Sequence, residues 1–259
     1  MQRLHEFIQI EGSRRPSTDP VISKRLIHGN PESVFTWLMV IISALLLANL
    51  ILQGIAFSFH ELHFKGMNRI LNMFNVDMEQ NIPSIFSFTL LLVASMLLGV
   101  LAMSEIPGKS TRTKQSWWVL AVVFYYLAID ELIEIHEFMA IFLRNRYHLS
   151  GIFWYAWVIP FGLGLAFMAV FFYRFVFFDI PSRTRKLFLL SAATYVFGAL
   201  IVEMAGGWYF THYGSNNYTW IILTSIEEGL EMAGTACFIY ALMDYIRNHT
   251  GPITARLDD

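Results

Sequence analysis

The sequence predicts an all-α, polytopic membrane protein, a bundle of six transmembrane helices with both termini in the cytoplasm. Of its 259 residues, 56% are hydrophobic and 15% are charged, and the mean hydropathy is +0.50. A chain of this composition is too apolar for an ordinary soluble domain. The apolar residues also fall into six stretches. Each stretch reaches the roughly 20 residues that a helix needs to cross the hydrocarbon core of a bilayer.

The predicted spans are separated by connections in which helix boundaries are expected. Pro83, Pro107 and Pro181 lie in these connections, where proline suits a helix boundary. The tryptophans lie near span ends, as interfacial aromatic belts require. The spans are expected at approximately residues 34–59, 84–103, 117–142, 152–178, 187–210 and 219–246.

The distribution of positive charge sets the predicted orientation. Fourteen Lys and Arg residues belong to the two tails and the even-numbered connections if Arg174, near the end of the fourth span, snorkels to that side, and four fall in the odd-numbered connections. Because cytoplasmic loops carry an excess of Lys and Arg, the odd-numbered connections are expected outside the cytoplasm. Residues 1–33 and 247–259 are then cytoplasmic tails around one transmembrane domain, 34–246, and no cleavable signal is expected. The predicted location is the inner (cytoplasmic) membrane.

Charge and cysteine content exclude two classes of partner. The formal net charge is −2 and the basic residues are scattered, so the chain lacks the positive field that nucleic-acid binding needs. Cys237 is the only cysteine, which excludes an intramolecular disulfide and a metal site with several cysteines. The expected partners are the lipid bilayer and a lipid-soluble small molecule.

Two seven-residue motifs place three carboxylates each inside apolar helices. They are Ile-Asp-Glu-Leu-Ile-Glu-Ile at 129–135 and Ile-Glu-Glu-Gly-Leu-Glu-Met at 226–232. A charged side chain near the bilayer centre costs about 2.5 to 3.5 kcal/mol, so these acids require protons, cations or water nearby. The motifs are therefore interpreted as a functional site. The structural alternative is a hydrogen-bonded network that orients the helices.

Helical geometry brings the acids of the third, fifth and sixth spans to one level, in the predicted outer half of the membrane. At about 100° per residue, Asp130, Glu134 and Glu137 fall within a stripe about 60° wide, and His136 points roughly 100° or more away from these acids. In the outward-facing connections, His60 and His63 are interpreted as interfacial histidines. Glu79 is expected to cap the second span.

So many facing carboxylates cannot all stay ionised, and either protons or metal cations would neutralise them. Oxygen ligands with one or two imidazoles suit Fe, Mn, Mg or Ca, so one or two such ions are the expected cofactor. The Glu-x-x-His pairs of standard di-iron bundles are missing. The predicted metal ligands are Asp130, Glu134, His136, Glu137, Glu203, Glu228 and Glu231, and the predicted catalytic residues are Glu131 and Glu227.

The same motifs carry two resemblances. Residues 79–83, Asp130-Glu131 with Ile135-His136-Glu137, and residues 227–232 resemble an uncharacterised family of bacterial multi-pass membrane proteins. That resemblance covers about residues 76–241 and implies the topology, but no activity. Residues 228–231, Glu-Gly-Leu-Glu, are similar to the Arg-Glu-Gly-Leu-Glu signature of oxidase-coupled iron permeases, with Glu227 in place of the arginine. This second resemblance implies iron.

Three functions follow from these observations. The first is a metal-dependent membrane enzyme that acts on a lipid-soluble or periplasmic substrate. The second is a cation or proton-coupled permease, because the motif recurs on spans three and six, which run in opposite directions as an inverted repeat would require. The third is a membrane assembly factor or sensor that uses the site structurally.

Overall fold

The chain folds into helices joined by short connections, and no strand occurs in the part that the computed structural model describes, residues 29–58, 65–104 and 110–250. The predicted all-α class is confirmed. The helices are α1 Pro31–Ser58, α2 Lys65–Phe74, α3 Ile82–Met103, α4 Thr111–Ile133, α5 Ile135–Tyr147, α6 Val158–Arg174, α7 Ser182–Val196, α8 Glu203–Tyr213 and α9 Tyr218–His249.

Five helical stretches in these ranges are long and apolar enough to cross a membrane. They fit an integral, multi-pass membrane protein. Helix α9 has 32 residues and matches the sixth predicted stretch, but its acids make it less apolar than the other five. The sixth span and the cytoplasmic termini stay predictions, and both predicted tails lie mostly outside the described residues. The five stretches are Pro31–Ser58, Ile82–Met103, Thr111–Ile133, Val158–Asp179 and Ser182–Tyr213.

Helix α9 is the central helix of the bundle. It packs against α1, α3 and α7, and α3 packs against α4. Met232, Ala236, Leu242 and Tyr245 are buried along α9, and the core extends from them to Trp117 of α4. Because α9 contacts helices on several sides, the acids that it carries lie among other helices.

Two glycines allow the chain between 191 and 202 to approach α9 closely. A Cβ atom on Gly234 would lie 2.7 Å from the Tyr195 backbone nitrogen, and one on Gly198 would lie 2.9 Å from the Glu227 carbonyl oxygen. The Ser191 hydroxyl donates to the Gly234 carbonyl oxygen at 2.7 Å. These contacts fix Tyr195 and α8 beside the acidic motif of α9.

The third predicted span is not one continuous helix, so that prediction is wrong at Glu134. Helix α4 ends at Ile133, and Glu134 adopts φ 60° and ψ 40° in the left-handed region. A residue with a side chain rarely occupies this region, and such strain is concentrated at functional sites. Helix α5 then begins at Ile135 with a new direction and a new helical phase.

The fifth predicted stretch is continuous but irregular. Residues 197–202 form a π-helical turn between α7 and α8, and residues 175–179 form another after α6. A π turn contains one residue more than an α turn and is frequently found at functional sites. The turn at 197–202 directly precedes Glu203.

Side-chain caps define the starts of α3 and α9. Asn81 accepts from the Ser84 backbone N–H, while the Ser84 hydroxyl accepts from the Asn81 N–H. Asn217 accepts from the Trp220 N–H at the start of α9. The cap of the second span is therefore Asn81, and the prediction that Glu79 fills this role is wrong.

Candidate functional site

A cavity of about 950 Å³ lies between α4, α6, α7 and α9 and has two chemically different ends. One end, the acidic end, is lined by Glu79, Asp130, Glu131, His136, Glu203, Glu227, Glu228 and Glu231, together with Trp157. The rest, the apolar arm, is lined mainly by aliphatic and aromatic side chains such as Leu120, Phe124, Leu165, Met168 and Phe238. A pocket of this size and lining is typical of sites for small organic ligands.

Seven of the nine predicted site residues line this cavity, and Glu134 and Glu137 do not. The Glu134 carboxylate accepts a hydrogen bond from Gln80 Nε2 at 3.1 Å, and Glu137 is exposed. The predicted stripe of Asp130, Glu134 and Glu137 is wrong, because the left-handed residue at 134 interrupts the helical phase that joined them.

Asp130 and His136 form a hydrogen-bonded pair across this break. The backbone N–H of His136 donates to Asp130 Oδ1 and His136 Nδ1–H donates to Oδ2, each at 2.9 Å. The imidazole also packs edge-on against Trp157, with ring centroids 5.3 Å apart. The prediction that His136 points away from the acids is wrong, because the turn at Glu134 folds the start of α5 back over Asp130. Both Asp130 oxygens are occupied, and the Nε2 of His136 remains for chemistry at the cavity.

Glu203 is the acid that α8 contributes to the cavity. Its side chain is buried, and Oε1 accepts a hydrogen bond from Trp157 Nε1 at 3.0 Å. The carboxyl groups of Glu203 and Glu227 are close enough for a hydrogen bond between them, which requires a proton on one of the two. Helices α8 and α9 thus each bring one carboxyl group of this pair to the cavity wall.

Glu131, Glu228 and Glu231 form the part of the acidic end with the fewest partners. Glu131 of α4 interacts electrostatically with Glu228 and Glu231 of α9. Among the described residues, neither Glu131 nor Glu228 has a side-chain hydrogen bond, and Glu231 has Tyr195 beside it. Carboxylates enclosed in protein normally have partners. These three side chains are therefore available to a ligand.

Glu79 reaches the acidic end from the connection before α3. Burial raises its pKa from 4.5 to about 7, while the nearby His136 lowers this value and the carboxylates of Glu137, Glu134 and Asp130 raise it further. Its Oε2 atom is buried and has no hydrogen-bond partner within the described ranges. Sequence reasoning assigned Glu79 to a helix cap. The sequence around Glu79 gave no indication that the connection before α3 folds toward the cavity.

Asp77 lies in the same connection as Glu79. Its Oδ2 atom accepts a hydrogen bond from Trp220 Nε1 at 2.9 Å. Burial raises the pKa of Asp77 from 3.8 to about 6; the Trp220 hydrogen bond opposes this shift, and Glu203 and Glu137 add to it. Asp77 borders a second, smaller pocket of about 200 Å³.

The side chains as placed do not form a metal site. Over residues 29–58, 65–104 and 110–250, no group of three or more His, Cys, Asp or Glu is positioned to hold a metal ion. His60, Glu61 and His63, which the sequence places near this level, lie outside the described residues. The predicted metal ions stay a prediction.

Comparison with known proteins identifies a family and no activity. Neither a curated protein nor a solved structure matches the chain. One family model, described as Domain of unknown function (DUF8692), matches residues 35–246, a range that contains every residue of the acidic end. Because this match covers most of the chain, the protein belongs to the DUF8692 family of unknown function.

Proposed function

We propose that this protein is a membrane-embedded enzyme that acts on the head group of a lipid-soluble amphiphile. The observation that carries the proposal is the continuity of the cavity, in which one volume of about 950 Å³ joins the acidic end to the apolar arm. An amphiphile placed here would bury its chain among apolar side chains and bring its head group to the carboxylates and His136. Apolar burial of this kind contributes roughly 0.8 kcal/mol per methylene.

The Asp130–His136 pair supplies acid–base chemistry in this proposal. A carboxylate that accepts from Nδ1–H fixes the tautomer of the imidazole and orients Nε2, as in other enzymes that use a histidine base. The second hydrogen bond, from the His136 backbone, holds the same carboxylate in place. Asp130 is then a positioning residue, and the imidazole is the group that exchanges a proton with the substrate.

We also propose that hard metal ions, one or two of Fe, Mn, Mg or Ca, bind at this end. The donor set suits them: the carboxylates of Glu131 and Glu228, which have no side-chain hydrogen bond among the described residues, and that of Glu231, with His136 Nε2 as the nitrogen. Asp130 would support the imidazole from behind, which is the usual arrangement for a metal-bound histidine. Because no ligand group is preformed in the described residues, binding requires side-chain rotation.

Metal analysis of protein purified without chelator tests this second proposal. Wild type is compared with Glu228→Gln and with Glu137→Gln, a matched control on an exposed carboxylate outside the cavity. We expect metal in wild type and in Glu137→Gln, and its loss in Glu228→Gln. Wild type without bound metal would refute metal binding and leave proton transfer by His136 as the chemistry of the site.

Lipid analysis tests the enzyme. Wild type and His136→Ala in nanodiscs are incubated with a total lipid extract of bacterial membranes, and the lipids are compared by mass spectrometry. We expect wild type to convert one class of amphiphile and His136→Ala to leave that class intact. Identical lipid profiles with the two proteins would refute the catalytic role.

A cation or proton permease, the alternative from the sequence, has less support. Apart from tyrosine hydroxyls, the apolar arm has Ser191 and Thr235 as its polar lining. Ion pathways are lined by carbonyl oxygens or charged side chains. A cation that passed through the apolar arm to the acidic end would therefore find few ligands on its way.

A further inference from the structure

The charges around the cavity point to the head group of its ligand, and we propose that it is a cationic amine. This inference rests on the proposed function, since it names the amphiphile that the cavity takes. Among the described residues that line the cavity there are seven carboxyl groups and one imidazole, and neither lysine nor arginine. Within that lining, the group that can carry a positive charge is the His136 imidazole, and Asp130 already pairs with it.

An amine would satisfy the acids that the protein leaves without partners. Glu131 of α4 and Glu228 of α9 both line the cavity and interact electrostatically, and neither has a side-chain hydrogen bond to the described residues. An ammonium has three donors, and a hydrogen bond to a charged group contributes about 1.5 to 3 kcal/mol. A phosphate or carboxylate head would instead add a negative charge to a cluster that already holds more carboxyl groups than can stay ionised together in a medium of low dielectric constant.

Aromatic side chains at the same end favour a cation as well. Trp157 and Tyr195 both line the cavity, Trp157 beside Glu203 and Tyr195 beside Glu231. An aromatic face attracts a cation within about 6 Å, and this attraction is stronger away from water. Carboxylates combined with aromatic rings are the usual surroundings of a bound amine.

The chain of the amphiphile has a route into the cavity along α6. Residues 160–161, 164–165, 168–169 and 172–173 line the cavity, so one face of α6 forms its wall at helical spacing. The opposite face is exposed, with Leu163, Phe167 and Val170 at 71%, 68% and 79%. Since α6 does not pack closely against α4 or α7, a chain can enter between these helices from the surrounding lipid.

Gly164 allows this route to be blocked without a clash. It lines the cavity, and a Cβ atom added there would meet nothing within 4 Å. Gly162 lies two residues away with equally open surroundings, and it does not line the cavity. Gly164→Leu is therefore the test variant and Gly162→Leu its matched control.

The experiment measures binding of three spin-labelled amphiphiles of equal chain length. Doxyl-labelled octadecylamine, octadecanol and octadecanoate are added at pH 7 to the full chain in nanodiscs that have been dialysed against chelator. The chelator prevents a metal from bridging the octadecanoate to the carboxylates. Electron paramagnetic resonance then gives the immobilised, saturable fraction of each probe.

We expect the amine to bind about tenfold more tightly than the alcohol, and the octadecanoate to bind most weakly. Gly164→Leu should weaken all three probes, Gly162→Leu should weaken none, and Glu228→Gln should weaken the amine alone. Equal binding of amine and octadecanoate, or of amine and alcohol, would overturn the amine inference and leave the amphiphile-binding cavity intact. Absence of an immobilised fraction for every probe would instead refute the proposed function.

Discussion

Replacement of Glu79 by glutamine should remove a large part of the pH dependence of stability. In the folded protein the pKa of Glu79 is about 7, against 4.5 for the free side chain, because burial disfavours its charged form. The folded state therefore binds more protons than the unfolded state between these two values, and stability must fall as pH rises. A difference of about 2.5 pKa units corresponds to about 3 kcal/mol, fully present below pH 4.5 and lost by pH 7 to 8.

Thermal unfolding in detergent, followed by tryptophan fluorescence from pH 4 to 8, measures this effect. For a chain of this size, about 3 kcal/mol corresponds to a midpoint change of roughly 6–12 °C. The midpoint of wild type should fall between pH 4 and pH 8, and this fall should exceed that of Glu79→Gln by roughly 6–12 °C. Glu32→Gln, at an exposed carboxylate in the first turn of α1, is the control and should follow wild type. Parallel pH curves for wild type and Glu79→Gln would refute the buried placement of this side chain.

Two further substitutions probe the walls of the cavity. Gly234→Ala should destabilise the protein by about 1 to 3 kcal/mol in the same assay, because its new Cβ would lie 2.7 Å from the Tyr195 nitrogen. Gly99→Ala, which meets nothing within 4 Å, should be neutral or stabilising, and equal losses in the two variants would contradict the packing argument. Trp157→Phe removes the donor to the buried Glu203 carboxylate, so a loss of about 1 to 3 kcal/mol is expected. A midpoint unchanged from wild type would mean that this hydrogen bond does not hold Glu203.

The sequence predicted the helical stretches and the convergence of acids well, because both depend on long-range averages of polarity and on helical rise. The five confirmed stretches begin and end within a few residues of the predicted ones, apart from the third and the starts of the fourth and fifth. The position of Glu203 near the acids of α9 followed from counting how many residues separate each acid from the end of its helix, which gives its depth in the membrane. These properties are insensitive to local backbone geometry.

The direction of individual side chains was not predictable in the same way. One residue at 134 in the left-handed region changed the phase of everything after it, and it brought His136 onto Asp130 while Glu137 stayed exposed. No glycine or proline marks this break. Glu79 was misassigned for a related reason: the path of a connection depends on tertiary packing, and a period of 3.6 residues carries no information about it.

The acids of the cavity are held by backbones of unequal rigidity. Glu227, Glu228 and Glu231 share the uninterrupted helix α9 and keep their mutual spacing, whereas Glu203 follows the wide turn at 197–202. If that turn lost its one extra residue and became regular helix, Glu203 would rotate by about 100° around the helix axis. Such a rotation would separate Glu203 from Trp157 and from Glu227 while the three acids of α9 stayed in place. The π turn thus sets how many carboxylates the cavity presents at one time.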